Sequence, residues 1–249
     1  MPRPDSFDWA VEFHAFTPQH AVTIAVFGGS IVVAAILGRR WRGSPRERTL
    51  RTAWIWSTIA WQGVALTYYL WPMNFKPYES WPLHLCDLAA WVAPFALLTQ
   101  RRWLRTLLYF WGIGLSTQAF VTPVVEGGHA DIRFWLFFVG HTQIIGSAVY
   151  DAVALGYRPR FRDLTLAIAI TLLWLAVVTP INIAFDLNYG YTGRVPPDGA
   201  TLLNAMGDWP LRIVWLVLAG VVALTLAWVA WPIAGAIARL FPRPPTKAR

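Results

Sequence analysis

One cysteine, Cys86, serves a chain of 249 residues, and charged residues make up only 14% of it. The single thiol excludes an intramolecular disulfide and any multi-cysteine zinc or iron–sulfur site. The shortage of charge excludes an ordinary water-soluble globule, which needs more polar surface to cover itself. Also missing are a repeat at a fixed period, an inverted duplication of the transporter kind and a second, soluble-looking segment. The amino-terminal MPRPDSFDWAVEFHAF has acids in place of a basic n-region, and no small-residue cleavage site follows the first apolar run. No cleaved signal peptide is expected from it.

What the chain has is apolar residues, 56% of the total. They gather in seven runs near 18–38, 52–71, 82–99, 104–123, 133–155, 164–185 and 210–231. Each approaches the ~20 residues a helix needs to cross a ~30 Å hydrocarbon core. The predicted fold is all-α: a polytopic membrane helical bundle of seven transmembrane helices, forming one domain over 1–249 with a short tail at 240–249.

A net charge of +8 would suggest nucleic acid in a soluble protein, but its placement points to a membrane and to no nucleic-acid partner. Arg39, Arg40, Arg42, Arg46, Arg48 and Arg51 follow the first run, and Arg101, Arg102 and Arg105 the third. Arg158, Arg160 and Arg162 follow the fifth, and Arg239, Arg243, Lys247 and Arg249 the seventh. Basic residues on alternate connections mark the cytoplasmic side, so the amino terminus is expected outside and the carboxyl terminus in the cytoplasm. The expected location is the cell membrane, multi-pass, with membrane lipids as solvent and as possible substrate. Trp-Pro pairs at 71–72, 81–82 and 209–210 read as anchors at the outer boundary, and Pro232 of a fourth pair reads as the end of the last span or a kink in it.

With that topology, polar side chains collect in the outer halves of four spans. These are His84, Cys86 and Asp87; Ser116, Thr117 and Gln118; His141, Thr142 and Gln143; and Asn182 with Asp186. The inner halves read AAWVAPFALL, LLYFWGIG and LTLAIAIT, with Tyr150 and Asp151 as the remnant of a polar path. Ionisable groups at membrane depth are costly, and gathering at one level points to a cavity open to the outer face. Hydrogen-bonded glue between helices is the plainer reading.

On a regular helix His84 and Cys86 stand about 200° apart, while His84 and Asp87 share a face. A base for Cys86 is therefore expected from another helix, and His141 is the histidine at comparable depth. A thiol and an imidazole suffice for covalent acyl transfer, with Gln143, Asn182 or backbone amides as oxyanion donors. A buried cysteine that merely fills space is the plainer reading. A metal site from His84, His141 and Asp186 lacks the close spacing zinc favours, and neither metal nor cofactor is expected.

The pieces WPLHLCDLAAW (81–91), FFVGHTQIIG (137–146) and NIAFDLNYGYTGRVPPDGATLLNAMGDWPLR (182–212) resemble the YwaF-like family of integral membrane proteins. That family has bacterial members and a eukaryotic branch that looks like a phospholipid acyltransferase. The resemblance implies acyl transfer to a lysophospholipid through a thioester, with Cys86 and His141 on the positions of the branch's cysteine and histidine. A further likeness, to membrane lipid hydrolases, keeps hydrolysis open.

The expected function is thus a lipid-modifying enzyme, an acyltransferase or acyl hydrolase. Cys86 is its nucleophile and His141 its base, with His84, Asp87, Gln118, Gln143, Asn182 and Asn188 lining the pocket. The alternative is a carrier or receptor for a small polar solute in the same pocket, and a third reading is a scaffold without a ligand.

Overall fold

In a computed structural model, residues 8–125, 127–194 and 206–240 are described, the last eight as backbone only. Among them the chain is helical, with no strand beyond an isolated bridge between Glu12 and Gly127. Helices α1 (Pro18–Arg40), α2 (Pro45–Leu70), α3 (Leu85–Thr99), α4 (Arg102–Tyr109), α5 (Gln118–Val121), α6 (Ile132–Val153), α7 (Phe161–Phe185) and α8 (Leu211–Leu240) follow in order. Three stretches, Pro18–Arg40, Phe161–Phe185 and Leu211–Pro232, are long and apolar enough to cross a membrane, with mean hydropathies of 2.3, 2.3 and 2.5.

The starts of these helices are written locally. Thr17 and Ser44 cap α1 and α2 by accepting from the His20 and Glu47 N–H groups, with a proline at the next position in each. Asp131 caps α6 through the Arg133 N–H at 2.8 Å. Such caps satisfy amides that the first helical turn leaves without partners.

The centre of the bundle is α6, which touches α1, α2, α3 and α4. Gly146 allows the closest approach: a Cβ there would meet the Trp54 ring at 2.6 Å and Ile31 at 3.3 Å, so α1, α2 and α6 converge on one missing side chain. Nearby, the Trp54 indole donates to Ser147 at 2.9 Å.

Three expectations are corrected. The fourth apolar run is not one regular helix: α4 gives way to a π-helical turn, Phe110–Leu115, in which the Ser116 N–H reaches back five residues to Trp111. Crowding fits this turn, since a Cβ on Gly112 would meet Ala148 at 2.8 Å and one on Gly114 would meet Leu224 at 3.1 Å. The third helix starts at Leu85, three residues past Pro82, which lies in the preceding turn. The last helix runs through Pro232 to Leu240, so of the two expectations at Pro232, an end or a kink, the end is excluded.

The turns after α1, α3 and α6 share one end of the bundle, called the basic end, where polar groups are paired. Arg105 grips Asp151 at 3.0 and 2.9 Å. Arg102 holds Asp163 with two nitrogens. Tyr150 donates to Glu47 at 2.9 Å, and Arg51 lies 3.3 Å from the same carboxylate. The polar remnant expected at Tyr150 and Asp151 is therefore a set of interhelical ties.

Candidate functional site

At the other end, the chain enters α3 through His84, whose φ of −66° and ψ of 149° are extended. His84 is the residue before the helix, so the 200° separation from Cys86 expected for a regular helix does not apply. Its backbone N–H donates to the Asp87 carboxylate at 2.9 Å, so the link between these two runs through the backbone and not the imidazole. Cys86 is a free, partly buried thiol in the first turn of α3. It joins the apolar cluster of Ala89, Ala90, Leu107, Trp111 and Ile144.

The His84 imidazole turns toward the segment after α7. Its Nδ1 accepts the Gly190 N–H at 3.3 Å, and its ring lies 5.0 Å from Tyr189 and 5.8 Å from Tyr191. That segment is held firmly. The Asn182 amide donates to the Tyr189 carbonyl at 2.7 Å and the Thr192 hydroxyl at 2.8 Å, and accepts the Tyr189 N–H at 3.0 Å. The Tyr189 hydroxyl donates to the Pro77 carbonyl at 2.7 Å and accepts the Trp81 N–H at 2.9 Å. Gly190 has a φ of +64°, and a Cβ on it would strike the Trp174 ring at 2.3 Å. Only glycine meets both demands.

These bonds set the tautomers. Because Nδ1 of His84 accepts, the neutral ring carries its proton on Nε2 and presents a donor. His141, on α6, donates from Nδ1 to the Phe137 carbonyl at 2.8 Å, which leaves Nε2 as the basic nitrogen. The two imidazoles lie within charge–charge reach of each other. Tyr69 of α2 senses the Asp87 charge, and Tyr191 senses both Cys86 and Asp87. Burial first, then these two neighbours, push the Tyr191 hydroxyl up to about 12, so it stays a proton donor at neutral pH.

Among the described residues, the Tyr69 and Tyr191 hydroxyls and Nε2 of each histidine make no hydrogen bond. The arrangement thus offers a thiol, a basic nitrogen and three unused donors. No group of three or more His, Cys, Asp or Glu side chains among the described residues is arranged to hold a metal ion.

The other residues singled out from the sequence lie elsewhere. Asn182 has its whole amide committed to the segment after α7, and Asn188 supports the same segment by accepting the Gly193 N–H at 3.0 Å. Gln143 donates to the Ser57 carbonyl at 3.2 Å across the α2–α6 seam, with its side-chain oxygen buried and unpartnered. Gln118 is exposed at the start of α5. Tyr69, Tyr191 and Trp174 are not marked by the sequence patterns above; for Tyr191 the aromatic-glycine stretch NYGY at 188–191 was an available signal, and for the other two there was none.

The sequence model of the TMEM164 family matches residues 15–228. No curated protein and no solved structure matches the chain. The matched stretch begins just before α1, contains Cys86 and His141, and continues into α8. With three helices apolar and long enough to cross a bilayer, the chain is a membrane protein, and it belongs to the TMEM164 family.

Proposed function

We propose that this protein is a membrane-embedded lipid-modifying enzyme, a cysteine-dependent phospholipid or lysophospholipid acyltransferase or acyl hydrolase, acting from a site open to the outer leaflet. On this reading it spans the cell membrane seven times, with the amino terminus outside and the basic end in the cytoplasm. Coincidence of the seven apolar runs with helical stretches, and arginines on alternate connections, support that topology. The resemblance of residues 81–91, 137–146 and 182–212 to YwaF-like motifs supports grouping it with the YwaF-like proteins on this reading.

One observation carries the functional reading: the sole thiol shares one end of the bundle with a histidine in the base tautomer and with donors that no protein group uses. In the proposed reaction, Nε2 of His141 takes the thiol proton as Cys86 Sγ attacks the ester carbonyl carbon of a phospholipid. The oxyanion accepts from the Tyr191 hydroxyl, with Nε2–H of His84 as a second donor. Collapse breaks the ester C–O bond, His141 returns the proton to the departing lysolipid oxygen, and the acyl group remains as a thioester. A lysolipid hydroxyl or water, deprotonated by His141, then attacks the thioester and restores the thiol.

A mostly apolar groove of about 570 Å³ along α2, lined by Ala60, Gly63, Val64, Thr67, Tyr68, Trp71 and Asn74, suits an acyl chain and supports a lipid substrate. The test is labelling of the purified protein by a lipid-like acyl-ester probe. Wild type is labelled, Cys86→Ala is not, and His141→Ala is labelled roughly 10² to 10⁴-fold more slowly, the usual worth of a general base. Equal labelling of all three contradicts the enzyme.

The same unused donors favour a second reading, a carrier or receptor that holds a small polar solute without covalent chemistry. It predicts that Cys86→Ser keeps function, while changes at His84, Asp87 or Asn188 abolish binding.

A further inference from the structure

The basic end carries a second feature, separate from the thiol site. The turn between α1 and α2 displays Arg39, Arg40, Arg42, Arg46 and Arg48, all exposed. None has an acidic partner among the described residues. The acid in their midst, Glu47, is buried and committed to Tyr150 and Arg51. A further guanidinium, Arg158 from the α6–α7 turn, joins them. It is anchored on the Ala152 and Tyr157 carbonyls at 2.6 and 2.7 Å and lies 4.2 Å over the Trp231 ring. Burial, then the like charges of Arg42 and Arg39, push Arg158 below its ordinary value. Like charges have thus been brought together and left without an acid.

Beside them runs a groove of about 490 Å³ lined by Trp41, Pro45, Arg46, Thr49, Leu50 and Ala53, apolar but for one guanidinium and one hydroxyl. Helix α2 has 26 residues, so at ~1.5 Å each it is about 39 Å long, some 9 Å beyond a ~30 Å hydrocarbon core. On the proposed seven-span topology that excess lies at the charged start of α2, which carries Arg46, Glu47, Arg48 and Arg51, so its first two turns stand at headgroup level and the following ones at acyl-chain level.

We propose that this end binds an anionic phospholipid, its phosphate held by Arg39, Arg42 and Arg46 and one acyl chain lying along Thr49, Leu50 and Ala53. Charge complementarity selects the occupant, because a zwitterionic lipid brings its own cation into a cluster already short of acids. Arg40 and Arg48 add to the field, and Arg42 is steadied by its bond to the Leu155 carbonyl at 3.3 Å.

The test uses the full chain in detergent, titrated with phosphatidylglycerol or phosphatidylcholine and read by native mass spectrometry. Wild type retains phosphatidylglycerol at least about ten-fold more tightly. The Arg39→Gln/Arg42→Gln/Arg46→Gln variant loses that preference, at about five-fold per arginine from the usual worth of a basic residue near anionic headgroups. Lys76→Gln, at the opposite end, keeps it. Ala53→Phe, which fills the groove, weakens long-chain phosphatidylglycerol more than a dihexanoyl analogue. Equal retention of the two lipids by wild type, or a preference unchanged in the triple variant, overturns the proposal. So does inorganic phosphate displacing the lipid as well as dihexanoyl phosphatidylglycerol does, because the chain then contributes nothing.

Discussion

The two ends of the bundle treat their polar groups in opposite ways. At the basic end, interior carboxylates are closed off: Asp151 by Arg105, Asp163 by Arg102, Glu47 by Tyr150 and Arg51. At the other end, Asp87 is bonded only to the backbone of His84, and the hydroxyls of Tyr69 and Tyr191 and one nitrogen of each histidine have no partner among the described residues. Buried polar groups are costly unless satisfied, so paired carboxylates read as structure and an unpaired set reads as a place where something else binds. The contrast predicts that breaking a paired group costs stability and leaves labelling intact, whereas changing one of the unpaired groups does the reverse.

The largest expected stability loss tests the first half. Asp151→Asn leaves Arg105 as an uncompensated charge in the interior and is expected to cost about 3–5 kcal/mol, measured by denaturation in detergent, with Cys86 still labelled in the folded fraction. Next comes Gly190→Val, which joins both halves. A left-handed backbone and the Trp174 contact make it cost about 2 kcal/mol. Displacement of the residue-190 backbone N–H from Nδ1 of His84 is expected to slow labelling by more than the unfolded fraction explains.

A smaller effect sharpens the comparison at the unpaired end. Hydrogen bonds from Arg133 hold the Asp131 carboxyl below its ordinary range. Its folded value being the lower one, the stabilisation is fully present above the unfolded value of about 3.9 and fades as pH falls below that. Asp131→Ala should therefore cost about 1 kcal/mol at neutral pH, the usual worth of a helix cap, with the difference from wild type shrinking below pH ~4 in thermal melts. Smallest of all is Cys86→Ala, a small, partly buried side chain: stability within ~1 kcal/mol, labelling gone.

Where the helices lie was legible because an apolar run near 20 residues long has few other fates, and alternate arginine clusters marked one side. Their interior ties were not. Arg105 and Arg102 read as topology markers, and their bonds to Asp151 and Asp163 join residues 46 and 61 apart in sequence. The site was half legible. Depth along each helix singled out His84 and His141, whose imidazoles lie within charge–charge reach, but the face argument does not apply because the capping residue His84 is extended. Asn182 illustrates the limit: its residue type suits an oxyanion donor, yet the fold uses every hydrogen of its amide on residues 189 and 192. Tyr191 is the converse, hidden in a loop whose return across α3 depends on the Gly190 turn and the Tyr189 ties.

The most direct measurement is recovery of the acyl intermediate. Purified protein is incubated with a phospholipid carrying an isotopically labelled acyl chain, quenched in acid and digested, and the peptide containing Cys86 is sequenced by mass spectrometry. A hydroxylamine-sensitive acyl adduct on Cys86, accumulating in wild type and slowed in His141→Ala, is the result predicted here. Acyl turnover that continues in Cys86→Ala, or an adduct on another residue, would contradict it.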